Sequence, residues 1–361
     1  MSSPTLFGHE ATRDQLTRAF RAGRLPQVLL VTGAPGVGKQ SFGRWLAGLL
    51  LCQTSGKEPC GNCQACRLAG QLAHPDFHWF VPIPRPKAGD PDKQVDEVQE
   101  TLGELMAARR VNPVYGPPDG MAMHGVASAR LLLRVKSLTT SMGGRRVILL
   151  GDADRLVPQE SSQEAANALL KFLEEPPQST IVILTTTDPT RVLPTIRSRA
   201  VPLRLGRLDP AQIDAAVRHY LPALDAGERA RRVAAADGSI GAALTAAETA
   251  GAQAEAEAFL ALLRQAGPAK WERILRQGPW QARGDFSDLL EALSGTLGSA
   301  ARATATGQGA VPPALADVES PDRFVAAIDR IDAARESARG NVNPQLLLAT
   351  LTSELAEALW H

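Results

Sequence analysis

The sequence has no run of about 18 uncharged apolar residues, the length a helix needs to cross a membrane. Its opening, MSSPTLFGHE, lacks the basic and then apolar pattern of a secretory leader, so a soluble, cytoplasmic protein with no membrane partner is expected. It has almost no net charge: 39 Lys and Arg face 38 Asp and Glu, leaving +1. A global positive field is therefore excluded, and any contact with nucleic acid must come from local patches and helix ends. Cysteine is nearly missing too. All four fall between Cys52 and Cys66, which rules out a disulfide framework spread across the chain and favours metal ligation in a reducing compartment. What is present is bulk: 361 residues, 44% of them hydrophobic, exclude a disordered chain and favour two or three domains.

The first half alternates short apolar runs with amphipathic stretches, the pattern of a parallel sheet flanked by helices. Gln27 to Thr32 (QVLLVT), Arg146 to Leu150 (RVILL) and Thr180 to Thr185 (TIVILT) read as buried strands because no polar residue interrupts their apolar stretches. Between Pro82 and Gly125, two Pro- and Gly-rich segments, PIPRPKAGDPD and NPVYGPPDG, flank Val95, Val98, Leu102, Leu105 and Met106 at helical spacing. A surface insertion carrying one helix is expected there. After Arg204 the strand signals stop. Asp209, Pro210 and Gln212 fit a helix cap, a first-turn proline and a third-position partner, so a new, helical domain is expected from about residue 208. The Ala-rich stretch from Val233 to Leu263 and the tail from Pro321 to Trp360 read as helices, the latter broken at GNVNP.

Gly33-Ala34-Pro35-Gly36-Val37-Gly38-Lys39 follows an expected strand and precedes an expected helix, the setting of a phosphate-binding loop. Glycines let successive N–H groups curl toward a phosphate, and Lys39 can reach the outer phosphates. Gln40, however, stands where such loops carry a Ser or Thr hydroxyl for magnesium. The acidic motif expected at the end of a core strand is also depleted. In VILLGDAD, Gly151 takes the Asp place and Asp152 the Glu place, and slipping by one puts Ala153 in the Glu place. Two supports for one metal are missing, so intrinsic ATP hydrolysis is not expected. Whether Gly33, Gly36, Gly38, Lys39 and Gln40 still bind nucleotide, or form a turn that binds nothing, stays open.

Cys52, Cys60, Cys63 and Cys66 are spaced C-x7-C-x2-C-x2-C, with Pro59, Gly61 and Asn62 bending the chain between them. Four thiolates match a closed tetrahedral zinc site with no position left for water, so the zinc is structural. No thioredoxin-like context surrounds the two C-x-x-C units, which weighs against redox chemistry. His74 and His78 lie nearby but are read as packing or surface residues. Further on, LPTIRSRA follows the third expected core strand. A Ser-Arg pair at a helix start after a proline can project a guanidinium outward, where its planar fork suits a neighbour's phosphate. With 32 arginines in the chain, spacing alone does not separate Arg199 from a surface ion pair.

In order, the GHE segment from Gly8 to Glu10, GAPGVGKQ, the cysteine cluster, HPDFH, DADRL, NALLKFLEEPP and LPTIRSRA together resemble bacterial clamp-loader AAA+ subunits. The resemblance covers about residues 5 to 207 and, more weakly, GSIGAAL and NVNP. Within that family the chain is more similar to the delta-prime branch than to the gamma/tau ATPases, which keep the hydroxyl after the lysine and the acidic pair. The resemblance implies an α/β AAA+ domain over 1–207, with the knuckle at 52–66 and the insertion at 82–125. It also implies a helical lid over 208–250 and an all-α collar over 251–361. Gly241 then stands where an ATPase carries a nucleotide-sensing arginine, and Arg199 acts in trans as an arginine finger. The partners implied are gamma/tau and delta subunits, with the sliding clamp and primer-template DNA reached through the complex. The competing readings are a gamma/tau-like clamp-loader ATPase, a stand-alone AAA+ ATPase, or a zinc-bearing DNA-binding module.

Overall fold

The structure, a computed structural model, describes the chain apart from residues 1–4, 55, 113–121, 138, 143, 157–169, 178, 266–268, 277–284, 308–310, 339–341 and 361. The chain divides into two compact units at Leu244/Thr245.

The first unit is built on a parallel sheet. Its strands are β1 (Val28–Thr32), β2 (Phe77–Phe80), β3 (Arg146–Leu150), β4 (Thr180–Thr186) and β5 (Val201–Arg204), in the order β2-β3-β4-β1-β5. The three expected strands are present, each within a residue of its expected end. Two more join them: β2, which begins at Phe77 near the end of the HPDFH segment, and β5, which lies at the sheet edge where Pro202 costs no ladder bond. Central strands are buried on both faces; Val31, Val147, Ile148, Leu149 and Ile183 expose 1% or less, which is why they read as unbroken apolar runs.

The flanking helices are α1 (Glu10–Arg21), α2 (Lys39–Leu51), α3 (Gln64–Gly70), α4 (Pro91–Val111) and α5 (Val126–Ser137), followed later by the single turn α6 (Pro194–Arg197). Helix α2 is buried almost all round and lies so close to β3 that a Cβ at Gly43 would sit 2.5 Å from Leu149 Cδ1. The segment expected as a surface insertion carrying one helix holds α4 among its described residues. Its helix α4 sends Val95, Val98 and Leu102 into the main core, and the Ile83–Met123 bridge closes its base. The residues at helical spacing thus form one apolar face, and it packs on the core. The NPVYGPPDG segment, apart from its first residue, Asn112, lies outside the described residues.

A small helical cluster completes this unit: α7 (Pro210–Tyr220), α8 (Ala226–Ala235) and the start of α9 (Ile240–Leu263) enclose Leu208, Ile213, Val217, Ala236 and Ala243. The cap at Asp209 forms as expected, its carboxylate accepting from Gln212 N at 2.8 Å and Asp209 N donating to Gln212 Oε1 at 3.2 Å. The described residues of the second unit are all helical apart from connections: α10 (Ala269–Arg276), α11 (Asp285–Thr306), α12 (Pro321–Ala338) and α13 (Pro344–Trp360) close around Leu293, Leu297, Phe324, Ile331, Leu348 and Leu355.

Candidate functional site

Parallel registers carry the C-terminal ends of β1, β3 and β4 to one edge of the sheet, the edge where open α/β sheets place ligands. The loop from Gly33 to Gly38 leaves β1 there. Gly36 and Gly38 adopt φ of 69° and 96°, a left-handed backbone that side chains resist, and Gly38 caps α2. Lys39 Nζ donates to the carbonyls of Gly33 at 2.9 Å and Ala34 at 2.8 Å. Burial pushes the Lys39 ammonium down to about 8, against the pull of Asp152 and Asp154. His9 Nε2 bonds Val37 O at 2.9 Å and ties the GHE segment to the same loop.

The replacement at position 40 and the one at position 151 turn out to be one feature. A Cβ built on Gly151 would fall 2.3 Å from Gln40 Nε2 and 2.9 Å from its Oε1, so the amide fills the room a side chain at 151 would need. Gln40 is buried, and its Oε1 accepts from Trp79 Nε1 at 3.0 Å. Trp79 in turn lies under the guanidinium of Arg109, 4.4 Å from the ring centroid, and that of Arg44, 5.5 Å away. Neither Trp79 nor the arginines were legible as site residues, because nothing in the local sequence ties β2 to position 40.

The remaining acids are placed for other work. Thr186 Oγ1 donates to Asp154 Oδ1 at 2.5 Å, and Asp152 N donates to Thr185 Oγ1 at 3.2 Å, so the polar end of β4 fastens the turn after β3. Gly151 O accepts from His124 Nε2 at 2.6 Å; burial pushes His124 down to about 4 and keeps it neutral. On the other side of the loop, Gly241 N donates to Gly36 O at 3.0 Å. A Cβ at Gly241 would lie 2.8 Å from Gly36 Cα, so no arginine fits at that position with the backbones this close.

The cysteines converge. Their four Sγ atoms all lie within 4.8 Å of one another, and Cys60 and Cys66 stand 3.9 Å apart, against roughly 3.8 Å for two thiolates on a tetrahedral zinc. Backbone N–H groups of Cys60, Cys63 and Cys66 point at the sulfurs of Cys52, Cys60 and Cys63 at 3.3–3.4 Å, the contacts that favour thiolates. The Thr54 hydroxyl, with N–H groups of Cys63 and Asn62, holds Cys60 down to about 5, whereas burial pushes the Cys66 thiol up. This donor set can hold a metal ion. Glu58, unmarked in the sequence, fixes the cluster's loop to the domain, accepting from Arg13 Nη2 at 2.6 Å and Trp45 Nε1 at 2.5 Å. His74 is buried and His78 half-buried, so both pack and neither joins the sulfurs.

The Ser198-Arg199 pair sits at the C-terminal end of α6, where a helix start was expected. Pro194 opens the turn, Ser198 caps it, and buried Ile196 and Ala200 hold the backbone on either side of Arg199. The guanidinium stays at the surface, bonded to Thr195 O at 2.7 Å and paired with Glu174. The structure thus groups the phosphate-type loop with Gly151, and keeps the cysteines and Arg199 as separate features.

Comparison with known proteins places these features in a family. The family described as "DNA polymerase III, delta subunit" matches residues 8–209. DNA polymerase III subunit delta' of Escherichia coli (strain K12) is 30% identical over 350 residues, covering 94% of this chain and 91% of that protein. The delta' subunit of Pseudomonas aeruginosa is 31% identical over 173 residues, 48% of this chain and 40% of its own length. The tau subunit of Escherichia coli (strain K12) is 30% identical over 215 residues, 59% of this chain and 27% of its own length. Matched over 94% of its length by a delta' subunit, the chain belongs to the family of DNA polymerase III delta' subunits.

Proposed function

We propose that the chain serves as the delta' subunit of a DNA polymerase III clamp loader, contributes no ATP hydrolysis of its own, and lends Arg199 to the active centre of a neighbouring gamma/tau ATPase. The observation that carries the first part is the Gln40 amide lying in the room beside Gly151. A magnesium-dependent phosphate loop needs a hydroxyl after its lysine and a carboxylate at the end of the neighbouring strand. Here an amide and a bare backbone meet in that space, and Trp79 holds the amide there. Lys39 spends two of its three N–H donors on carbonyls and keeps one for a phosphate oxygen; without the hydroxyl and carboxylate for magnesium, any nucleotide held at Gly33 to Gln40 would serve binding rather than turnover.

Arg199 suits the second part because its backbone is anchored in the core while its guanidinium stays at the surface. A planar, permanent cation delivered to a neighbour's γ-phosphate stabilises charge spread over the transferring group, an effect of roughly 10³ to 10⁵ in rate where it is complete. The cysteine cluster carries structural zinc in this reading, residues 208–250 act as the lid and residues 251–361 as the collar through which subunits join. Partners are gamma/tau and delta subunits; the sliding clamp and primer-template DNA are met through the complex, with DNA touched at phosphates and therefore in a salt-sensitive way.

The test is an Arg199→Ala substitution in the reconstituted complex. ATP turnover is expected to fall while thermal unfolding and zinc content stay at the parent's values. Unchanged turnover would remove the finger from the proposal.

A further inference from the structure

Arg199 is not held by its own turn alone. Its Nη1 donates to Thr195 O at 2.7 Å, and its Nη2 is paired with Glu174 Oε1. Glu174 comes from a different element, the helical turn 170–174, and reaches Arg199 across a sequence separation of 25. Both partners are placed by the core. Phe172 and Leu173, just before Glu174, expose 0% and 3%; Ile196 and Ala200, around Arg199, are also buried. Arg199 N donates to Ile196 O at 3.1 Å, which fixes its backbone on the end of the turn.

The arrangement does little for the fold. The two side chains are 33% and 43% exposed, and an exposed ion pair contributes little to stability because water screens it. It does more for geometry. A guanidinium carries five N–H donors in one plane. Securing Nη1 on Thr195 O and, at 3.5 Å, on Ser198 Oγ, and Nη2 on Glu174, fixes that plane while leaving two donors, on Nε and Nη2, for another oxyanion. An arginine on a flexible stem would have to lose its rotamer freedom as it met its target, and a misplacement of an ångström in such a group can cost about a hundredfold in rate.

We propose that Glu174 is a positioning residue for Arg199, setting the guanidinium plane from which it reaches into the neighbouring subunit's ATP site. This rests on the reading of Arg199 as a finger acting in trans. The carboxylate does not touch the phosphates; it acts through the arginine.

The experiment compares Arg199→Ala, Glu174→Ala, Glu174→Gln and the double alanine variant, each reconstituted with gamma/tau and delta subunits and assayed for kcat and KM for ATP. Glu174→Ala is expected to reproduce most of the kcat loss of Arg199→Ala with little change in KM. Glu174→Gln, which keeps an oxygen for Nη2, should restore most of the rate, and the double variant should be no slower than Arg199→Ala. Thermal unfolding of each free variant is expected to match the parent. A Glu174→Ala complex as fast as the parent or faster, a glutamine variant as slow as the alanine one, or losses that multiply in the double variant would overturn the proposal. If Arg199→Ala itself leaves turnover unchanged, the finger reading fails first; if it lowers turnover and Glu174→Ala does not, only the positioning role fails.

Discussion

Replacing Gly151 by Ala adds one methyl group at a place where the structure leaves no room for it. That Cβ would meet Gln40 Nε2 at 2.3 Å, Oε1 at 2.9 Å and Cδ at 3.0 Å, all well inside normal contact. Gly151 has no left-handed φ, so alanine is not excluded by the backbone and the cost is one of space. Gln40 cannot move aside freely, because doing so breaks its bond to Trp79 Nε1 inside a buried site. Overpacking of this kind costs about 1–3 kcal/mol. Gln40→Ala alone should cost about 1–3 kcal/mol as well, since it strands the Trp79 donor. In the Gln40→Ala background, however, the added methyl has space, and Gly151→Ala should cost well under about 1 kcal/mol. The two changes then couple favourably by about 1 kcal/mol or more in a double-mutant cycle. Urea unfolding followed by tryptophan fluorescence reads all four proteins. Costs that simply add, or a single Gly151→Ala that is neutral, would refute the claim that the amide occupies the vacated space.

Two further predictions rest on the same unit. Purified protein should contain about one zinc per chain, and Cys63→Ser should lower both zinc content and stability. A preparation with four intact thiols and no zinc by elemental analysis contradicts the ligand assignment. Burial holds His124 near 4, and burial together with Arg146 holds His78 near 4, whereas both take up protons near 6.5 once unfolded. The unfolded chain therefore binds more protons between about 6.5 and 4, and stability should fall as pH drops through that window, by at most about 3 kcal/mol for each residue. His78→Gln should flatten part of that slope; a slope unchanged by it would place the acid sensitivity elsewhere.

Much of the fold could be read from the residues because burial writes itself into them. Strands β1, β3 and β4 are covered on both faces and so are apolar without interruption. Strand β2 carries His78 in the middle of FHWF, and β5 carries Pro202 and Arg204 on an open edge, so neither shows that pattern. The helix at Pro91–Val111 was visible in its spacing, but its apolar face could be assigned to core rather than surface only once β2 was in place beside it. The site divides in the same way. The cysteine spacing is local, and the sulfurs meet as expected. Gln40 and Gly151 are 111 positions apart in the chain and read there as two independent features; packing brings them together, with the amide filling the room beside Gly151. The expectation for Arg199 rests on a local motif, while Glu174, its partner, belongs to a neighbouring motif whose contact with it depends on the tertiary fold.

Whether this chain hydrolyses ATP by itself decides the proposed function. Steady-state ATP turnover of the purified, zinc-loaded protein in saturating magnesium, without its partners, is expected to stay at background, and Lys39→Ala is expected to leave that value where it is. A steady rate that Lys39→Ala abolishes would contradict the proposal, because it would mean that magnesium is seated with an amide at position 40 and no side chain at position 151.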